Sequence, residues 1–470
     1  MRTDLHAQCA RIIDKLGRVR AADPAFSVFG ASAHKYRIGP PVSEESIRAF
    51  ESAHEVALPE HYAAFLTLVG NGAPESEITA AAGPFYGIYP LGIGIDEFVG
   101  EGSANLNERA FISPDMTQLD WDESTGLLRG EISDVAYEQE LRRVFGGLLP
   151  IGHQGCQSYH ALLLNGPHAG RVVNVTTDLF LPVFCYEANF LDWYERWLDE
   201  IVSGVLSKGG PTWFGYTMGG DDKYLLQVYR QSGDKTEKMA ALDGFGKLTS
   251  ISPESALVLG EIADSADQDL RHRVITILAE FDYAHARPHL EKLLKGSSED
   301  QLVACKAIRW FAKEHAREWV DAIGPIAAHT NDAELFRFAS YVVHDSGVDS
   351  IDYLLPAAAN PDENIRQQAV YTIGKGPKNS GAVGAILRAL TDESPRVVHA
   401  ALQAHERPFD ERFIEAYAAI ATRFEVDEHY ILTNLNHRLK TIGYDSRDAF
   451  LLVFRAGKVR KRGFWSRFFR

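Results

Sequence analysis

Two apolar stripes open the patterned part of the chain. In "SEESIRAFESAHEVALP" Ile47 and Phe50 share a helical face behind Ser43. Ser43 is a good helix cap, and Glu44 and Glu45 sit where the helix dipole favours acids. A second helix is predicted from Pro59, whose fixed φ suits a first turn. Its apolar residues Tyr62, Phe65, Leu66 and Val69 are spaced i, i+3, i+4, i+7, which makes one buried stripe. The glycines of "GNG" (70–72) follow that stripe. A phosphate-cradling loop has the opposite order, with glycines ahead of a helix whose free N–H groups face the anion. The order here predicts a helix stop, with Gly70 as the left-handed residue and "NG" as a turn.

Beyond the turn the apolar period shortens. "GPFYGIYPLG" (83–92), "LLPIG" (148–152), "SYHALLLNG" (158–166), "RVVNV" (171–175) and "LPVFCYE" (181–187) read as strands with turns such as "NGPHAG" between them. The helical period returns in "NFLDWYERWLDEIV", where Leu191, Tyr194, Trp197, Leu198 and Ile201 form an aromatic-rich stripe. Helices, a meander of short strands and a closing helix predict an α+β domain with an antiparallel sheet.

After "SKGGPTWFGYTMGGDD" (207–222) the pattern becomes helical and repetitive. Leu270, Val303, Leu335, Ile365 and Val397 align at spacings of 33, 32, 30 and 32. Four residues after each stand Val274, Ala307, Ala339, Ala369 and Ala401, a column of small side chains. Small residues at a fixed helical offset let neighbouring helices pack closely, and the period is that of a helix-pair solenoid. The register weakens at His405. The array resembles short HEAT-type repeats.

The motifs of the first half, taken together, resemble the SUKH superfamily of Smi/Knr-type proteins. "LPEHYAAFLTLVGNG", "YGIYPLG", "LLPIGHQGCQSYHALLLNGPHAGRV" and "FLDWYERWLDE" carry the resemblance, over about residues 40 to 203. One departure is Ala73, where a second glycine is usual after "GNG". The resemblance implies a binding module. Bacterial members are immunity proteins against polymorphic toxins, the yeast relatives are interaction hubs, and no catalytic residues carry over.

Composition narrows this further. A chain of 470 residues, 45% apolar and 24% charged, is globular and long enough for two or three domains. A net charge of -16 repels phosphate backbones and argues against nucleic-acid binding. The charge is uneven: seven bases and no acids lie from Arg455 to the end, which leaves -23 on the first 454 residues. Cys9, Cys156, Cys185 and Cys305 are too scattered for a disulfide scaffold and fit a reducing cytosol. No run of 18 apolar residues is present, and "MRTDLHAQCARIIDKLGRVR" reads as an amphipathic helix and not a signal peptide, so a cytoplasmic location is expected.

Candidate chemistry is thin. His153, Cys156 and His160 in "HQGCQSYH" are weak metal candidates, since zinc needs a second ligand group that the sequence does not show; turn and core packing is the plainer reading. Cys156 as a nucleophile would need a base and an electropositive pocket. "GIGIDEF" (92–98) has Glu97 where a dinucleotide fingerprint needs glycine, and lacks the βαβ context. No cofactor is expected and no enzymatic role is assigned.

The acidic stretch from Ile93 to Glu140 holds twelve acids against Arg109 and Arg129, a net of -10. Its plain reading is a solvated edge. The sharper reading is a landing surface for a basic partner such as a nuclease-type toxin domain, built from Asp115, Asp120, Asp122, Glu123, Glu131, Asp134 and Glu138 with Trp121 as apolar anchor. The tail "RAGKVRKRGFWSRFFR" places Phe464, Trp465, Phe468 and Phe469 among bases. It is either a solvated terminus, an anchor on anionic lipid, or a plug in an acidic groove.

These readings give a helical arm (1–40), a SUKH-like α+β domain (41–205), a linker with short helical segments (206–250), an all-α HEAT-like solenoid (251–425), C-terminal helices (426–454) and a basic aromatic tail (455–470). The expected function is stoichiometric occlusion of a toxin. The alternative is a cytoplasmic scaffold in which solenoid and SUKH-like domain bridge two partners. The oligomeric state stays open.

Overall fold

The computed structural model describes residues 2–73, 80–100, 105–207, 214–376, 380–404, 412–424 and 429–457. His405 and the tail aromatics Phe464, Trp465, Phe468 and Phe469 lie outside these residues. The chain forms two compact units, Met1–Ile251 and Ser252–Arg470.

The first unit begins with α1 (Arg2–Ala22), α2 (Ala31–His34), α3 (Glu44–His54) and α4 (Glu60–Leu68). Then come α5 (Gln118–Ser124), a 3-10 turn at Gly126–Arg129 and α6 (Asp134–Phe145). The sheet follows, with β1 (Leu148–Gly155), β2 (Ser158–Leu163), β3 (Val172–Thr176) and β4 (Val183–Phe184). The unit closes with α7 (Phe190–Val202), α8 (Asp222–Gln231) and α9 (Lys235–Gly244). The sheet is antiparallel in the order β1-β2-β3-β4, with Leu148 opposite Leu163, Leu162 opposite Val172 and Val173 opposite Phe184.

Both sheet faces are covered. Leu149, Ile151, Leu162 and Val172 join Phe65 of α4, Ile12 of α1 and Trp197 of α7 in one core. The alternate positions Leu148, Ala161, Leu163, Val173 and Val175 join Trp121 of α5 and Phe145 of α6 in a second. The strands read as continuous apolar runs because neither face meets water.

The expected strand at 83–92 is not formed. It contributes one bridge, Ala81 to Ile88, and Tyr89 N–H donates to the Ile151 carbonyl at 2.8 Å. Positive φ at Phe85 (54°) and Gly87 (104°) breaks the extended run. The helix stop after α4 is present, with a different cause. Gly72, not Gly70, has the positive φ (62°). Gly70 is required by close approach, since a Cβ there would lie 2.4 Å from the Gly39 carbonyl oxygen. Gly39 N–H donates to the Gly72 carbonyl at 2.6 Å and Leu91 N–H to Asn71 Oδ1 at 2.8 Å, so "GNG" is stitched into the protein on both sides.

The second unit is helical throughout its described residues: α10 (Pro253–Ser265), α11 (Gln268–Phe281), α12 (Tyr283–Leu293), α13 (Ser298–Phe311), α14 (Val320–His329), α15 (Ala333–Asp345), α16 (Ile351–Leu354) and α17 (Glu363–Lys375), then α18 (Ser380–Leu390), α19 (Pro395–Gln403), α20 (Arg412–Arg423), α21 (His429–Thr441) and α22 (Arg447–Arg455). Helices α11, α13, α15, α17, α19 and α21 pack each on the next, a solenoid-like series. The small column Val274, Ala307, Ala339, Ala369 and Ala401 lies on the first five of these, each residue at most 1% exposed. Asp267, Asp332 and Asp362 cap α11, α15 and α17, each three residues before an aligned apolar position.

Candidate partner-binding surface

Local chemistry fixes α5 and α6 in place. Thr117 and Asp120 form a reciprocal cap, with Asp120 N–H donating to Thr117 Oγ1 at 3.2 Å and Thr117 N–H to Asp120 Oδ2 at 2.9 Å. Hydrogen bonds from Thr117 hold the Asp120 carboxyl below its ordinary range. Ser133 caps α6 by accepting from Ala136 N–H, with Asp134 in the first turn. Arg129 donates to Asp122 at 2.9 Å and to the Leu179 carbonyl at 2.8 Å. Arg143 donates to Glu140 at 2.8 Å and to the Ser124 carbonyl, and its guanidinium lies 5.4 Å from the Phe111 ring. Arg129 and Arg143 are thus spent on stitching, while Asp115, Glu123, Glu131, Asp134 and Glu138 face solvent.

Trp121 is not the surface anchor expected of it. It is 0% exposed, its indole N–H donates to the Leu179 carbonyl at 2.8 Å, and Phe111 stacks against it at 6.0 Å. On a short helix the residue that fills the core must be the large apolar one, and on α5 that is Trp121. The apolar side chains that do reach solvent here are Leu119 (67% exposed), Leu127, Val135 and Tyr137. Sequence reasoning missed them, although Val135 and Tyr137 lie well before the buried Val144 and Phe145 at the end of α6.

The three metal candidates do not form a ligand group. His153 stacks on Tyr86 at 4.8 Å, Cys156 is exposed at the β1–β2 hairpin tip, and His160 is fully buried. Cys156 (φ 46°) and Gln157 (φ 62°) form the two left-handed positions of the hairpin turn. Among the described residues no group of three or more His, Cys, Asp or Glu could hold a metal. His160 belongs to a buried polar row. Its Nδ1 lies 2.9 Å from Asn174 Oδ1, which also accepts from Gln154 Nε2 at 2.8 Å, and Tyr216 OH donates to Gln154 Oε1 at 2.9 Å. Burial pushes the imidazole down to about 3, so it stays neutral.

A pocket of ≈ 550 Å³ opens beside α7. Arg196 Nε donates to Glu200 at 2.8 Å, Nη2 to the Thr217 carbonyl at 2.8 Å and Nη1 to Glu187, while Lys247 Nζ donates to Glu200 at 2.9 Å. The Phe214 ring lies under both cations, at 4.9 and 5.7 Å. Burial lowers the Lys247 ammonium, and Glu200 only partly offsets it. Two cations face two carboxylates, so the group acts as a neutral joint. It ties the segment carrying α8 and α9 to α7.

Residues 41–196 match the SMI1 / KNR4 family (SUKH-1). That match supports a protein-binding or immunity-type role at the level of the family, whose members are generally non-enzymatic and bind protein partners. Comparison with curated proteins gives no match. Among solved structures the chain is similar to the X-ray structure of YibA of E. coli, at 12% identity and a TM-score of 0.33, over 51% of this chain and 93% of that one. No helix among the described residues is long and apolar enough to cross a membrane.

Proposed function

We propose that this is a non-enzymatic, cytoplasmic protein-binding module in which a SUKH-1 domain is joined to HEAT-like repeats, and that it neutralises a polymorphic toxin by stoichiometric occlusion. The observation that carries the reading is the exposed face of α5 and α6. Glu123 and Leu119 are exposed on α5, and Asp134, Val135 and Glu138 on α6, with the exposed Glu131 just ahead of it. Acidic groups around apolar contacts suit a basic partner: charge sets the encounter rate, and the buried apolar contacts set the residence time.

The partner is sought by pull-down from the native host, with a toxin encoded beside this gene as the first candidate. Reversing Glu123, Glu131 and Glu138 to Lys avoids the cap at Asp120 and the ion pair at Asp122. The triple variant is expected to slow association about tenfold or more at low salt, with a flatter salt dependence. An unchanged rate and salt slope would reduce this face to a solvated edge. The second reading, a regulatory scaffold, is favoured by a separate surface on the helical unit, described next.

A further inference from the structure

Tryptophan usage among the described residues poses a question. Trp121, Trp193, Trp197 and Trp319 are at most 3% exposed, whereas Trp310 on α13 is 58% exposed. An exposed tryptophan contributes little to folding and is the residue most enriched at binding hot spots. Trp310 is part of a connected patch. Its ring meets Phe338 of α15 edge-on at 5.4 Å, and Phe338 meets Tyr341 at 5.9 Å. Lys306 and Arg337 both lie 5.2 Å from the Phe338 ring, and Arg309 lies 5.7 Å from Tyr341. The ring–cation pattern continues on α17, where Lys375 lies 4.2 Å from Tyr371.

The charge of the patch opposes that of the chain. Lys306 and Arg337 share one carboxylate, Glu334, at 2.9 and 3.4 Å. Arg309 and Lys313 share another, Asp345, at 3.0 and 3.3 Å. Four cations on two carboxylates leave a net of +2 on a protein of net charge -16. Guanidinium groups already held against rings lose little freedom when they bind a planar carboxylate.

We infer that the face of α13 and α15 around Trp310 is a docking site for an acidic protein segment with an apolar side chain that packs on the tryptophan. Nucleic acid fits less well. Phosphate binding needs a run of uncompensated cations, and here two carboxylates interrupt it. This partner is opposite in charge to the one proposed for α5 and α6, and the inference does not rest on that reading.

The test is fluorescence anisotropy with the full chain. Probes are a fluorescein-labelled Asp/Glu-rich peptide containing Phe and Leu, its Lys-substituted counterpart, and mixed-sequence single-stranded DNA and RNA. Binding of the acidic peptide alone is expected. Trp310→Ala should weaken it about tenfold or more, and Arg309→Glu with Arg337→Glu should abolish it. Thermal melts that match the parent would show that these substitutions, including that at the half-buried Arg309, do not act through the fold. The Glu123, Glu131 and Glu138 reversals should leave this binding unchanged, which separates its failure from that of the proposed function. No binding of the acidic peptide, equal affinity in the variants, or tighter binding of either oligonucleotide through the same residues would overturn the inference.

Discussion

Glu200 offers the sharpest test of how the first unit is built. It is the carboxylate shared by Arg196 and Lys247, with side chains 9%, 11% and 7% exposed. Glu200→Gln leaves Arg196 with Glu187 but strands Lys247, which has no other hydrogen-bonded carboxylate at the joint. Stranding a buried charge costs roughly 3–5 kcal/mol. Lys247→Met removes the cation and its two hydrogen bonds to Glu200 but leaves Glu200 with Arg196, so its cost should be the smaller, roughly 1.5–3 kcal/mol. The double variant strands no lysine. It should therefore be more stable than Glu200→Gln alone, with a coupling of about 1–3 kcal/mol.

The readout is native-state hydrogen exchange of α7 and β2 peptides, in which Glu200→Gln should speed exchange roughly 10²–10⁴-fold. The pH arm has a definite sign. The folded pKa of Lys247 is below its ordinary 10.5, so the unfolded chain binds more protons between the two values. Stability from this group should rise with pH through that window and stay flat below it, and Lys247→Met should abolish the rise. Additive single costs, to within about 0.5 kcal/mol, would show that Glu200 and Lys247 do not act as a pair.

Three further outcomes are expected. Trp121→Ala should cost roughly 3–5 kcal/mol, read by chemical denaturation, because it empties a fully buried site; a stable variant would return Trp121 to the surface. His160, held near 3, stays neutral while the unfolded chain takes up a proton below about 6.5, so stability falls as pH falls. Between pH 6.5 and 4.5 that loss is on the order of 2 kcal/mol, and His160→Gln should flatten the fall in stability over that range by about that amount. His34, pushed down to about 4 by burial, should account for a second part of the slope. Gly70→Ala should destabilise by roughly 1–3 kcal/mol, because its Cβ meets backbone. Gly17→Ala in α1, with nothing within 4 Å, should instead raise the melting temperature, by up to about 1 kcal/mol of helix propensity.

What the sequence disclosed follows from the range of each interaction. The stripe Tyr62–Phe65–Leu66 and the column Ala307–Ala339–Ala369 are periodic, and periodicity survives without coordinates. Trp121 and Leu119 stand two apart on one short helix, and only the sheet beneath decides which of them is inside. The joint at Glu200 was hidden for the same reason, since its cation comes from position 247, past a glycine-rich stretch that reads as linker. The family match ends at residue 196, whereas the compact unit runs to Ile251. A fragment cut near 205 would keep Arg196, Glu187 and Glu200 while losing Lys247, the Phe214 ring and the Thr217 carbonyl. That arithmetic leaves two buried carboxylates with one cation. The fragment ending near 205 should therefore fold less stably than the unit of 251 residues, and the helices after α7 are as much a part of that unit as the strands before it.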